Sequence, residues 1–220
     1  VLAWLACAAF AHAAAAAPSP GVARPGGPGA AVTRPGGPSA APRPSGATPS
    51  KGPLTLLYGD DHVFGIVAPP GWVVDDSSGL GAKIRVVLYP RGQKWATAPT
   101  VMYQNPLHQD PRARKTLAQM IERDLADFRK HSPRGKVTSG APIRNAKNQL
   151  AQVRYFAPDG RDPLSAVAYY EEDDLVMLLV LESQTAAGFR EALPAYNGMV
   201  SSYQFIAGAV QTPTAPRKGR

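Results

Sequence analysis

Cysteine is all but missing from this chain. Its one thiol, Cys7, lies in an N-terminal apolar segment. A mature form that has shed that segment holds no disulfide and no cysteine-ligated zinc or iron–sulfur centre. Histidine is nearly as scarce. Beyond His12 only His62, His108 and His131 remain, each expected in a loop or at a helix end, none paired with another at metal-ligand spacing. A Gly-x-Ser-x-Gly turn is absent as well, which removes the familiar serine-hydrolase nucleophile and leaves no nucleophile beside a base with a third orienting group.

A charge excess is also lacking where it would matter. The whole chain carries +8, which invites a nucleic-acid reading. Seven of its basic residues are Arg24, Arg34, Arg43, Lys51, Arg217, Lys218 and Arg220, all outside residues 54–207 and accompanied by no acid. The remaining 17 of 24 Lys and Arg face all 16 Asp and Glu, leaving the interior stretch at +1. A near-neutral domain has no bulk electrostatic footprint for nucleic acid. The basic ends read as solvated tails, with anionic lipid or cell-wall polymer as the alternative.

What is present divides the chain. Residues 1–17 form an apolar core followed by small residues, with an A-x-A site at Ala11-His12-Ala13. That is the pattern of a secretory signal peptide, and it is shorter than the roughly 20 residues a bilayer span needs. The chain opens with Val and lacks a basic n-region, so the leader is expected to be truncated at its start. Cys7 is a candidate lipidation site: Ala6 fits such a signal, whereas Trp4 stands where Leu is usual. Residues 18–53 are Pro, Gly, Ala, Ser and Thr with isolated Arg, and Arg24-Pro-Gly-Gly-Pro-Gly-Ala-Ala31 recurs as Arg34-Pro-Gly-Gly-Pro-Ser-Ala-Ala41. With nothing bulky to bury, this unit is a low-complexity spacer expected to be disordered. Residues 208–220 read as a similar basic tail. Residues 54–207 are the expected folded domain, long enough to bury roughly two thirds of its unfolded surface.

Within it, Val63 to Ala68 reads as a strand that Pro69-Pro70-Gly71 ends, and Asp60-Asp61 and the Asp75 to Gly79 cluster read as turns. Lys83 to Tyr89 and Thr100 to Gln104 read as strands. Asp110 at an N-cap and Pro111 at the first helical position predict a helix to about Lys130, with Leu117, Ile121, Leu125 and Phe128 on its apolar face. Strands follow at Val137–Ser139, Gln149–Phe156 and Leu164–Glu171, the last turning over Glu172-Asp173-Asp174 into Leu175–Glu182. A second helix begins near Thr185, with Phe189, Leu193, Tyr196, Val200 and Tyr203 on its buried side and a kink expected at Pro194. The order predicts an α+β fold with a largely antiparallel sheet and two main helices packed on it.

The run Phe64-Gly-Ile-Val-Ala-Pro-Pro-Gly-Trp72 resembles the F-x-I-x-x-P-x-G-W opening of the PsbP-like and DcrB-like families. The mid-chain helix, the Ala168 to Leu181 hairpin and the ending Val200-Ser-Ser-Tyr-Gln-Phe205 are similar to the same group, with Tyr203 where Phe is commoner. The resemblance implies a three-layer α/β/α sandwich and a non-enzymatic, exported accessory protein, either periplasmic or held at the cell envelope. The resemblance does not fix a partner; the expected one is an unidentified envelope protein, with membrane tethering through the N-terminus, and no cofactor is expected. The alternative is a periplasmic small-molecule, lipid or metal-binding protein.

Other residues were weighed for chemistry. Glu171-Glu-Asp-Asp174 lacks the ligand spacing and Gly of a calcium loop and reads as a solvated hairpin tip. His62 beside Asp60 and Asp61 reads as a turn residue, with a metal site as the rival. Arg112, Arg114 and Lys115 open the expected helix, where its dipole disfavours cations, so they are candidate partner contacts. Trp95 is either such an anchor or packed beneath its own loop.

Overall fold

The computed structural model describes residues 52–207 except 60, 61 and 111. The expected leader, Cys7, most of the Pro/Gly arm, the Asp60-Asp61 turn, Pro111 and the basic tail lie outside the described residues.

Leucine and β-branched residues dominate the strand at the centre of the fold, β10 (Leu175–Ser183), and all nine of its residues are buried. A strand turns alternate side chains to opposite faces, and here both faces are covered. Leu175, Met177, Leu179 and Leu181 join one apolar cluster, Val176, Leu178 and Val180 the other. Around it an eight-stranded sheet runs in the order β3 (Trp72–Asp75), β4 (Val87–Pro90), β5 (Thr100–His108), β10, β9 (Ser165–Glu171), β8 (Leu150–Ala157), β6 (Lys136–Ser139), with a short β7 (Ile143–Arg144) beside β8. Three further strands form a second sheet, β1 (Leu54–Tyr58), β2 (Val63–Val67) and β11 (Gln204–Ala207), in the order β1-β2-β11. Every pairing is antiparallel. The domain is α+β, with a large antiparallel sheet and two main helices.

Helix α1 (Leu117–His131) contributes Leu117, Ile121, Leu125 and Phe128 to the cluster that holds Val176, Leu178 and Val180. Its one buried charge, Asp124, accepts the Tyr169 hydroxyl of β9. Burial pushes both of these groups upward in pKa. Helix α2 (Ala186–Ser202) supplies Phe189, Ala192, Tyr196, Met199 and Val200 to the other cluster, where Leu57, Phe64 and Ile66 of the small sheet meet it. Buried hydroxyls fix its seat: Tyr196 donates to the Leu179 carbonyl at 2.9 Å and Tyr170 to that of Val200 at 3.0 Å. The Val67 N–H donates to Ser202 Oγ at 2.8 Å, tying the helix end to β2.

Three expectations need correction. Helix α1 does not begin at Asp110. Thr116 is its N-cap: Thr116 Oγ1 accepts the Gln119 N–H at 3.3 Å and Gln119 Oε1 accepts the Thr116 N–H at 2.9 Å. This reciprocal capping box sits directly against Leu117, the first buried position, and outweighs the Asp-Pro signal. The strand expected from Lys83 begins only at Val87, because a 3-10 turn at Leu80–Ala82 ends with Lys83 in the left-handed region at φ 59°. Ile84 and Val86 still serve the core from outside the strand, and the Val86 carbonyl accepts the Gln104 N–H of β5 at 3.2 Å. The strand at Thr100 runs on to His108, well past Gln104. Helix α2 continues past Pro194, whose ring lies on its exposed side. The Pro69–Trp72 turn closes with the Trp72 N–H donating to the Pro69 carbonyl at 3.1 Å, and Gly71 takes φ 82° in it. That conformation is why the P-x-G-W motif needs glycine.

Candidate interaction surface

Trp95 is 9% exposed and packs edge-on to Tyr103 at 6.1 Å between ring centroids. Of its two readings, packing beneath the loop is the one found, so its indole is part of the core and not a surface anchor. The β5 tyrosine that receives it is reached only through the fold.

Arg112, Arg114 and Lys115 are exposed, but they precede α1 rather than open it. The dipole misfit disappears. Gln109, Asp110 and residues 112–115 are fixed by five bonds, the first from the Ala113 N–H to the Asp110 carbonyl at 3.0 Å. Asp110 Oδ1 accepts the Arg112 N–H at 2.9 Å, and Gln109 Oε1 accepts the Lys115 N–H at 2.8 Å. The other two cross to the β9–β10 turn: the Gln109 N–H donates to the Asp174 carbonyl at 3.0 Å, and Arg114 Nη2 to the Glu172 carbonyl at 3.1 Å. The loop that carries the three cations is thereby tied to the acidic turn Glu171 to Asp174 through two main-chain carbonyls of that turn.

That turn is not simply a solvated tip. Glu171, Asp173 and Asp174 are exposed, but Glu172 is half-buried and its Oε1 accepts the Tyr203 hydroxyl at 3.0 Å. Burial raises the Glu172 carboxyl above the ordinary value of 4.5, and the Tyr203 bond opposes the rise. Tyr203 stacks on Tyr170 at 4.7 Å between centroids, and burial and the Glu172 charge push both phenols upward. Gln149 Nε2 donates to the Glu171 carbonyl at 2.8 Å from the β7–β8 turn. Tyr203, set at a position where the resembling families favour Phe, therefore carries a hydroxyl with a task.

Behind this pole the histidines are arranged differently from expectation. His62 is buried, stacked 5.9 Å from Phe64, and its ring centroid lies 6.0 Å from that of His108. His108 ends a strand rather than sitting in a loop. His131 does lie at the end of α1, with Nδ1 2.8 Å from the Asp127 carbonyl oxygen. Among the described residues no three His, Cys, Asp or Glu side chains gather as a metal site. What the pole offers is a surface of mixed sign, in which the loop carrying the exposed Arg112 and Lys115 is bonded to the turn carrying the exposed Asp173 and Asp174, suited to a partner of complementary charge pattern.

No protein-family model matches this chain, and no curated protein matches it. Among solved structures it is similar to cyanobacterial PsbP. That solution structure, of CyanoP from Synechocystis sp. PCC 6803, is 11% identical with a TM-score of 0.46, over 70% of this chain and 92% of that one. No helix among the described residues is long and apolar enough to cross a membrane.

Proposed function

We propose that this is an exported, non-enzymatic accessory protein of the cell envelope that works by contacting another protein through the pole built from residues 109–116 and 171–174. One observation carries the reading. The loop bearing Arg112, Arg114 and Lys115 is held to the β9–β10 turn by the Gln109–Asp174 and Arg114–Glu172 bonds. A loop fixed by main-chain and charge-assisted bonds loses little entropy on binding, so its exposed charges act as pre-set contacts. The sequence resemblance to PsbP-like and DcrB-like proteins supports the accessory role, and the leader-like residues 1–17 support export. Packing of α1 and α2 residues in separate clusters against alternate residues of β10 fits the three-layer α/β/α description, to which the small sheet is an addition.

Charge reversal tests the surface. In cells, chemical crosslinking of the Arg112→Glu/Lys115→Glu double variant should lose adducts that the parent chain forms, while its melting temperature stays unchanged. An unchanged adduct pattern rejects this pole as the contact. A melting screen of the same chain against metals, lipids and metabolites addresses the ligand-binding alternative, since a ligand at 100 times its Kd adds about 2.7 kcal/mol.

A further inference from the structure

One face of β1, in the small sheet, carries exposed apolar side chains. Along β1 the side chains alternate, with Leu57 buried while Leu54, Leu56 and Tyr58 are 38%, 47% and 68% exposed. The register places Gly65 of β2 beside Leu56, and Gln204 of β11 beside Gly65. Ile206 lies at an irregularity of β11, between Phe205 and Ala207, and is 45% exposed. Leu54 leans over Gly65, where an added Cβ would lie 2.9 Å from its side-chain carbons. Three large apolar side chains of β1 thus share one face of a three-stranded sheet.

The chain's unbalanced charge is attached to this sheet and to no other element. Residues 1–51 lead into β1 and residues 208–220 leave β11, and together they carry the seven cations without an acid, while residues 54–207 stand at +1. Lys51 is three residues from Leu54, which at full extension places it within about 10 Å. The acids nearest in sequence are Asp60 and Asp61, between β1 and β2. An apolar face joined at both ends to cation-rich, acid-free chain is the composition that binds an anionic bilayer, with apolar side chains entering the interface and Lys and Arg meeting phosphate headgroups. A protein partner would need acidic groups matched to both tails, whereas a lipid surface presents them everywhere.

We infer that the outer face of the β1-β2-β11 sheet, with Leu54, Leu56 and Tyr58, docks on an anionic lipid surface and that the basic tails hold it there. This goes beyond the protein-contact reading and uses another part of the molecule, so either can fail alone.

The test uses the full 220-residue chain carrying Cys7→Ser, which removes lipidation and frees thiol chemistry for a probe. An environment-sensitive fluorophore is placed at Leu56→Cys, or at Lys130→Cys on α1 as a control. Vesicles contain either phosphatidylcholine alone or phosphatidylcholine with phosphatidylglycerol. The probe at position 56 should blue-shift with the phosphatidylglycerol vesicles only and return in high salt, while the probe at position 130 stays in water. Each tail cation contributes about fivefold in binding at low salt. Reversing Arg217, Lys218 and Arg220 to Glu should therefore weaken vesicle binding on the order of a hundredfold. Tyr58→Asp, with the leader and tails intact, should weaken it as well. A probe at position 56 that stays in water while the chain pellets with vesicles would assign binding to the leader and overturn the inference. A position-56 shift caused by dimerisation, seen by light scattering without vesicles, would overturn it in favour of a second copy.

Discussion

Tyr203→Phe isolates one atom. The phenol oxygen donates to Glu172 Oε1 at 3.0 Å, and the ring would keep its stack on Tyr170 and its 6.0 Å contact with Phe64. A hydrogen bond to a charged group contributes about 1.5–3 kcal/mol. Glu172 is only half-buried, so water can take over part of the acceptor's needs, and a loss of about 1–2 kcal/mol is expected. For a domain of this size that lowers Tm by roughly 2–8 °C. The loss should depend on pH in a definite sense. Glu172 has its folded pKa above 4.5, so it favours folding below 4.5 and withdraws that contribution as pH rises through the folded value. Donation from Tyr203 to the charged form offsets part of the withdrawal. Removing the hydroxyl must therefore cost most at pH 8 and least at pH 4, where a neutral carboxyl accepts a weaker bond. Urea melts of the parent and the variant at both pH values measure this. A double-mutant cycle with Glu172→Gln then assigns the energy to the pair. A loss below about 0.5 kcal/mol at pH 8, or an equal loss at both pH values, would refute the reasoning.

Two further perturbations test other links. Thr116→Ala removes the α1 cap and should cost about 1 kcal/mol, whereas Asp110→Ala, outside the helix, should cost clearly less; thermal melts that reverse this order would restore the Asp-Pro start. Asp75 is held well below its ordinary 3.8, mainly by the Ser78 side-chain bond and with help from Ser77. Because its folded value is depressed, its contribution is present above 3.8 and lost as pH falls toward the folded value. Asp75→Asn should therefore destabilise at pH 7 by a margin that narrows once the pH drops below 3.8, which melts at pH 7 and pH 2.5 would show.

Much of the fold was legible because its signals are local. The apolar run of β10 and the turn before it marked a hairpin strand. Leu117, Ile121, Leu125 and Phe128 marked α1's inner side through their spacing, and Thr185 and Phe189 marked the start of α2. The errors also have local causes. Asp110-Pro111 and Thr116 both announce a helix start, and a single sequence does not weigh one cap against another. The Thr116–Gln119 capping box was the readable signal, and it was overlooked. Ile84 and Val86 carry strand-like side chains that reach the core from a loop.

By itself the sequence determined the class of the domain, its charge balance, its lack of thiols and the concentration of cations in the two ends. These follow from composition and from side-chain periods of 2 and 3.6, which are properties of neighbours along the chain. Tertiary structure alone decided which distant residues became partners: Trp95 with Tyr103, His62 with His108, Tyr203 with Glu172, and the cationic loop with the acidic turn. Contacts between segments far apart depend on strand order and register, and no local pattern encodes them. The small sheet shows the same limit, since residues 54–58 carry an apolar run, but which of its side chains face the core was settled only when β2 and β11 took their places beside it.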